Sequence, residues 1–277
     1  MLDMHAMLTT PGAVLVLGAQ GAIAAGGDGA SVSGVPMQAS PGQATLVGWG
    51  FLSPTADTIA RMKLQSQDQV DPINGVDYAP GATNIKILEW LWDNLKYTTG
   101  TRSVLVGTNT GVVAGTALLV DYYSGGGTCV MGSRHPQGLV MVTTATTFGG
   151  ALTANQWGTQ PFAPATPLPA GKYAILGAKV SAITNVAAIR FSHADWAYFP
   201  GFPVINEQLT AILGLQLGPK SDLFVQQEYA FVTMGEILGV PCCPVFTCGP
   251  GSTGLTVWAI AAQACQPVVN LLLCKVG

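Results

Sequence analysis

Short apolar or alternating runs, separated by turn residues, follow one another along most of the chain. They include ATLVGWGF at 44–51, GTALLVDYY at 115–123, KYAILGAKVS at 172–181 and VAAIRFS at 186–192. Gly, Pro, Asn or Asp bounds most of these runs, which is the pattern expected of strands joined by tight turns. Such a density of short strands predicts an all-β protein built as a sandwich or barrel.

Two segments depart from this pattern and predict short helices. NIKILEWLWDNLKY at 84–97 begins with Asn84 as a possible N-cap, and NEQLTAILG at 206–214 lies between Asn206 and Gly214. In both, apolar residues recur at helical spacing, so that they share one face. In the first segment these are Ile85, Leu88, Leu91, Trp92 and Leu95.

The long apolar run LTVWAIAAQACQPVVNLLLC at 255–274 is the one stretch long enough to cross a bilayer as a helix. Gln263, Gln266, Pro267 and Asn270 interrupt it. It therefore predicts two strands with a turn near Gln266-Pro267. The earlier run at 13–25 is too short to span, and it lacks the basic flank of a signal peptide.

A shift of 127 positions superposes two parts of the sequence. TIARMKLQSQD at 58–68 then lies over NVAAIRFSHAD at 185–195, with Ala60 on Ala187 and Asp68 on Asp195 as identities. Both copies continue through a proline-containing loop into a segment that opens with Asn. The repeated order of elements predicts an internal duplication.

His193 and Asp195 raise the question of an active site, because the chain has only three histidines. In the superposition Asp195 has a counterpart in Asp68, whereas His193 faces Ser66. The shared feature is thus a carboxylate at a strand end, where it can accept backbone N–H bonds. We expect Asp195 to organise a turn and His193 to be incidental.

Two β-rich units, each with a helix in a strand-to-strand loop, resemble the double jelly-roll major capsid proteins of tailless icosahedral viruses of bacteria and archaea. The resemblance is to an architecture and covers about residues 40–277. It implies an all-β fold with a few short helices, in two tandem jelly-roll sandwiches. The expected boundaries are 1–40 for an N-terminal arm, 41–156 for the first jelly roll, 157–171 for a proline-rich crossing and 172–277 for the second.

The same resemblance implies a structural protein of the virion. Its partners would be other copies, as homotrimers of pseudo-hexagonal outline that tile the shell, with minor capsid or vertex proteins and an internal membrane as further partners. It implies no enzyme activity and no cofactor. The alternatives are a cellular self-assembling sheath, filament or surface protein, and a β-sandwich binding module or hydrolase.

Composition supports assembly rather than nucleic-acid binding. Charged residues make up 9% of the chain, against about 25% in an average soluble domain. A net charge of −3 with 11 Lys and Arg leaves no basic patch for DNA or RNA. Few charges also mean weak repulsion between copies.

Catalytic and metal-binding motifs are weak, so no catalytic, cofactor-binding or metal-ligating residues are predicted. Ser124 in DYYSGGG lacks a supporting partner among His5, His135 and His193. Glu89 and Asp93 would share a helix face rather than flank a substrate. Six cysteines are present: Cys129, Cys242, Cys243, Cys248, Cys265 and Cys274. Their spacing is not that of a zinc knuckle, and buried thiols, a disulfide within 242–274 and a metal site all stay open.

The alternating pattern also predicts which side chains are buried. The expected core residues are Ile59, Met62, Leu64, Val186, Ile189 and Phe191. Aromatic residues expected between units or subunits are Trp90, Trp92, Trp196, Tyr198 and Phe199.

Overall fold

The computed structural model describes two parts of the chain at different levels of detail. Between residues 2 and 123 it describes the backbone of eight strands. From 138 to 277 it also describes side chains, except those of 139–142 and 203. Within this second part the residues not described are 144–145, 155, 182–184, 197–198, 205–228, 233–234, 236–241 and 262.

The eight strands of the first part form two antiparallel sheets. They are β1 (Leu2–Leu8), β2 (Gly21–Ile23), β3 (Gln43–Leu52), β4 (Ile59–Gln65), β5 (Val76–Tyr78), β6 (Lys86–Thr98), β7 (Val104–Asn109) and β8 (Thr116–Tyr123). The strand orders are β1-β8-β3-β6 and β2-β7-β4-β5. This interleaving of two Greek keys is the jelly-roll order.

The second part repeats the arrangement. Its strands are β9 (Leu139–Val142), β10 (Thr146–Thr147), β11 (Trp157–Pro161), β12 (Gly171–Val180), β13 (Val186–Ser192), β14 (Gly201–Pro203), β15 (Val245–Cys248), β16 (Thr256–Ala261) and β17 (Val268–Lys275). Because β9 and β10 both pair with β17, they act as one interrupted first strand. The sheets then read β9/β10-β17-β12-β15 and β11-β16-β13-β14. The predicted double jelly roll is confirmed.

Strand pairing moves the boundary between the units. β1 pairs with β8 along its whole length, so part of the expected arm at 1–40 belongs to the first jelly roll. β9, β10 and β11 pair with β17 and β16 of the second unit. By strand pairing, β8 is the last described strand of the first unit and β9 the first described strand of the second. Pro161 is tolerated because β11 is an edge strand in the described sheet, where a missing N–H need not break the ladder.

The helix predicted at 84–97 is wrong, because this segment forms β6. The strand pairs antiparallel with β3, from Gln43 opposite Thr98 to Leu52 opposite Lys86. The register of this β3–β6 pairing shifts between Leu46 and Gly48 of β3. Ile, Leu, Trp and Tyr fit a pleated sheet as well as a helix face, and pairing with β3 decides between the two.

Helix is scarce in the described residues and is confined to 230–232 and 235. The second predicted helix, at 206–214, lies outside them. The predicted strands within 255–274 are confirmed as β16 and β17. In the part of the chain described, no helix is long and apolar enough to cross a membrane.

The duplicated sequence corresponds to equivalent strands. β4 and β13 begin and end 127 positions apart. Against its neighbour, β4 shifts register between Ile59 and Arg61, and β13 shifts between Val186 and Ala188. Ala60 and Ala187, the identical pair in the superposition, are thus the extra residues of matching β-bulges.

The core of the second unit lies between its two sheets. The predicted core residues Val186, Ile189 and Phe191 are fully buried there. Phe191 packs against Phe202 and Phe231, with ring centroids 6.4 and 6.2 Å apart. The side chains of Ile59, Met62 and Leu64 lie outside the described residues.

Candidate functional site

The turn that follows β13 contains the residues that looked most like a site. The N–H of Trp196 donates to the carbonyl of His193 at 3.1 Å, which closes the turn. The N–H of Asp195 donates to Nδ1 of His193 at 3.0 Å. Nδ1 is thus the acceptor of a backbone bond, and the Asp195 carboxylate lies 3.4 Å from the same nitrogen.

The same turn is bonded to the edge strand of the opposite sheet. Asp195 Oδ2 accepts the N–H of Thr247 at 2.8 Å, and Trp196 Nε1 donates to the carbonyl of Val245 at 2.7 Å. Val245 and Thr247 are two residues apart on β15, so these backbone groups point to the same side of the strand. Among the described strands β15 pairs only with β12. The turn therefore covers the open edge of β15, which would otherwise be a template for pairing with another chain.

His193 is held by rings rather than by a reaction partner. Its ring lies 5.5 Å from that of Trp196 and 5.6 Å from that of Phe246, and 7% of its side chain is exposed. A Cβ at Gly254 would lie 3.1 Å from His193 Nε2. In the described part of the chain no contact joins His193 to a serine or cysteine side chain. In agreement with the expectation that Asp195 accepts backbone N–H bonds, its carboxylate accepts one from Thr247 of β15.

Arg190 occupies an aromatic cage that the sequence interpretation did not single out. Its guanidinium carbon lies 4.2 Å from the Trp157 ring centroid, 4.4 Å from that of Phe199 and 4.7 Å from that of Trp258. Arg190 is 1% exposed. Trp258 is oriented by a bond from its Nε1 to Ser192 Oγ at 2.9 Å. The available signal was a cationic residue inside the apolar run VAAIRFS.

Part of the proline-rich segment lines a groove. The groove encloses about 320 Å³ between the β11–β12 connection and the β15–β16 connection. Thr253 Oγ1 donates to the carbonyl of Phe162 at 2.7 Å and ties the two walls together. The one titratable side chain among its lining residues is the buried Cys248 thiol. Such a groove offers no acid–base pair.

Of the five cysteines whose side chains are described, four are buried and Cys265 is half-buried. None of these five is in a disulfide, which agrees with the buried-thiol alternative. Desolvation by burial raises the thiol pKa of Cys248, Cys265 and Cys274. Within the described residues no three His, Cys, Asp or Glu side chains are grouped to hold a metal ion.

The structure settles the position of some predicted residues only. Trp196 and Phe199 pack within the second unit, against Phe246 and Trp258 respectively. The side chains of the remaining candidates lie outside the described residues: His5, Asp68, Glu89, Trp90, Trp92, Asp93, Ser124, Cys129, His135 and Tyr198.

Comparison with known proteins gives distant structural similarity. No protein-family model and no curated protein matches the chain. It is similar to the major capsid protein P2 from bacteriophage PM2 at 12% identity, over 100% of this chain and 98% of that chain, with a TM-score of 0.26.

Two further solved structures are similar at the same level. A chain from the T=3 Penaeus vannamei nodavirus has 9% identity over 99% of this chain and 88% of that one, with a TM-score of 0.24. The STIV major capsid protein has 8% identity over 98% and 95%, with a TM-score of 0.22. At such identities and TM-scores these matches carry no inference about function. That inference must come from the chain's own strand order, charges and contacts.

Proposed function

We propose that the protein is a structural subunit of a virus shell, located in the virion. The observation that carries this proposal is the presence of two complete jelly rolls of identical strand order in one chain. Three such chains around a threefold axis place six similar units in a ring. A trimer of this kind would have a near-hexagonal outline, which packs without gaps over the flat facets of a shell.

The charge distribution supports extensive contacts between copies. In the described part of the second unit the exposed charged residues are Lys172, Lys179 and Asp195, and Lys275 is half-buried. Charged side chains are depleted at the centres of protein interfaces, because their desolvation costs free energy. A surface with few of them can be covered by neighbouring subunits at low cost.

The contacts of the candidate residues favour a structural role over catalysis. Asp195 and Trp196 are engaged with the backbone of β15, and the imidazole of His193 is packed between rings. The groove beside the proline-rich segment supplies no nucleophile with a neighbouring base. We therefore infer a protein without enzyme activity or cofactor, whose main partner is itself. Minor capsid or vertex proteins and an underlying membrane remain proposed partners.

A second candidate function is that of a cellular sheath, filament or surface protein. The same low charge favours it, since open polymers also bury large surfaces. The two proposals differ in symmetry: a shell subunit forms closed trimers, whereas a filament subunit joins head to tail without closure.

The test is the mass of the purified protein by light scattering, with negative-stain images of the same fractions. A discrete trimer with six corners supports the shell proposal. Open filaments favour the second candidate, and a monomer that does not assemble at any concentration tested contradicts both.

A further inference from the structure

Part of the outer face of the sheet β11-β16-β13-β14 is buried, although it faces away from the core of the second unit; on this face Thr159 is exposed and Trp258 is half-buried. Two rows of directly opposed residues cross this face: Trp157, Ile260, Ala188 and Pro203, and then Thr159, Trp258, Arg190 and Gly201. Ala188 is 0% exposed and Ile260 1%, yet neither belongs to the core cluster between the sheets. A second buried layer therefore lies on the outside of this sheet.

Among the described strands of the first unit, β1 comes close to this sheet. Its Cα atoms come within 8 Å of those of both β13 and β14. A strand added at the sheet edge next to β14 would lie two strand spacings, or roughly 9.6 Å, from β13. Proximity to both strands therefore argues against edge addition beside β14 and favours a position of β1 over the sheet. Sheets normally stack about 10 Å apart, and the small residues Ala188 and Gly201 on this face permit the closer approach.

We infer that β1 fixes the orientation of the two jelly rolls by serving both. It is hydrogen-bonded to β8 in the first unit, from Leu2 opposite Tyr122 to Leu8 opposite Thr116, and packed on the outer face of the second. Arg190 and its three aromatic neighbours form the stiff part of the docking surface beside Ala188. The two units are then held by a packed contact and not only by the peptide chain between Tyr123 and Gly138. This inference does not depend on shell formation.

The test separates the covalent connection from the packed contact. A protease site is inserted between residues 123 and 138 of the full chain, and the cleaved protein is examined by size-exclusion chromatography and native mass spectrometry. We expect the two fragments to stay together as a one-to-one complex. Separation of the fragments while both retain β-sheet circular dichroism would overturn the inference. Native masses are read for the one-to-one complex because contacts between copies could also retain fragments.

Ala188→Glu places a charge at the centre of the contact, and the expected result is loss of the one-to-one complex after cleavage. Ala151→Glu is the matched control, since Ala151 is exposed on the same unit and should retain the complex. If Ala188→Glu does not fold, Ala188→Leu overfills the close contact without adding charge and should also lose the complex. Retention of the complex by a folded Ala188 variant, at the level of the control, contradicts the inference.

Discussion

Asp195 Oδ2 accepts the backbone N–H of Thr247 at 2.8 Å, although the two residues are 52 positions apart. Together with the bond from Trp196 to Val245, it joins the end of β13 in one sheet to the edge of β15 in the other. The turn at 193–196 therefore links the two sheets. The Asp195 carboxylate and the Trp196 indole N–H bind backbone groups of β15, and this role requires no nucleophile.

Asp195→Ala should lower the free energy of unfolding by about 1 kcal/mol. The bond is charge-assisted, but the Asp195 side chain is 42% exposed, so water replaces part of what is lost. Asp195→Asn keeps an oxygen acceptor and should lose less. Urea denaturation measures both variants, and equal losses in the two would show that the acceptor is not what matters.

Trp196→Phe tests the second of these bonds, which runs from Trp196 Nε1 to the carbonyl of Val245. Phenylalanine keeps an aromatic ring next to Phe246 but cannot donate to the carbonyl of Val245, and we expect a loss of about 1 kcal/mol. The double variant with Asp195→Ala should lose less than the sum of the single losses, because both bonds hold the same strand edge. Strict additivity in urea denaturation would contradict a shared role.

Gly254→Ala should destabilise the protein more than Gly251→Ala. Both glycines have positive φ, 62° and 75°, where alanine is strained by about 1 kcal/mol or more. Only at Gly254 would the new Cβ also meet His193 Nε2, at 3.1 Å, whereas nothing lies within 4 Å at Gly251. The difference in thermal unfolding between the two variants isolates the contact with His193. Equal destabilisation would mean that the ring moves aside freely.

Arg190→Met should cost about 2 kcal/mol of unfolding free energy. Methionine has a similar length but no charge, so the attraction of a desolvated cation to three rings is lost. Lys172→Met is the control, because Lys172 is exposed and such surface changes usually stay within about 0.5 kcal/mol. Chemical denaturation of the two variants gives the comparison, and a loss at Arg190 no larger than at Lys172 would refute the role of the cage.

Alkaline pH should destabilise the second unit. Burial raises the pKa of the Cys248 thiol, and burial followed by repulsion from Cys248 raises the pKa of Tyr173. Both groups favour their neutral forms in the folded protein. The stabilising contribution of Cys248 is complete below about pH 9 and that of Tyr173 below about pH 10, and each is lost as the pH rises above that value.

The measurement is the unfolding free energy between pH 7 and pH 10.5, in a reducing buffer. Cys248→Ala removes one of the two groups and should make the decline shallower. A pH profile of Cys248→Ala identical to that of the original protein would contradict the prediction.

The sequence predicts the fold well where the spacing of apolar residues and the positions of turn residues agree. Val186, Ile189 and Phe191 are buried as predicted, and the interruption at Gln266-Pro267 lies between β16 and β17. The helix prediction for 84–97 fails because the large apolar residues of this segment fit the period of a helix and that of a strand. Only the pairing with β3 decides in favour of the strand.

The candidate site is less predictable, because its partners are distant in the chain. Asp195 can be recognised as a turn-forming carboxylate, but no local pattern indicates that it bonds to Thr247. Two of the rings around Arg190, those of Trp157 and Trp258, belong to β11 and β16, which are far apart in the sequence. The prolines near residue 160 read as a linker, since sequence does not show that β11 is an edge strand.

The matching bulges at Ala60 and Ala187 also bear on how the gene arose. A bulge adds one residue to a strand, and unless the pairing adjusts, every later side chain changes face. Two separate insertions at the same step of the same strand would have to be accommodated twice, whereas one insertion copied with its surroundings is accommodated once. An ancestor with a single jelly roll, whose bulge was already in place when its coding sequence was doubled, would leave this pattern.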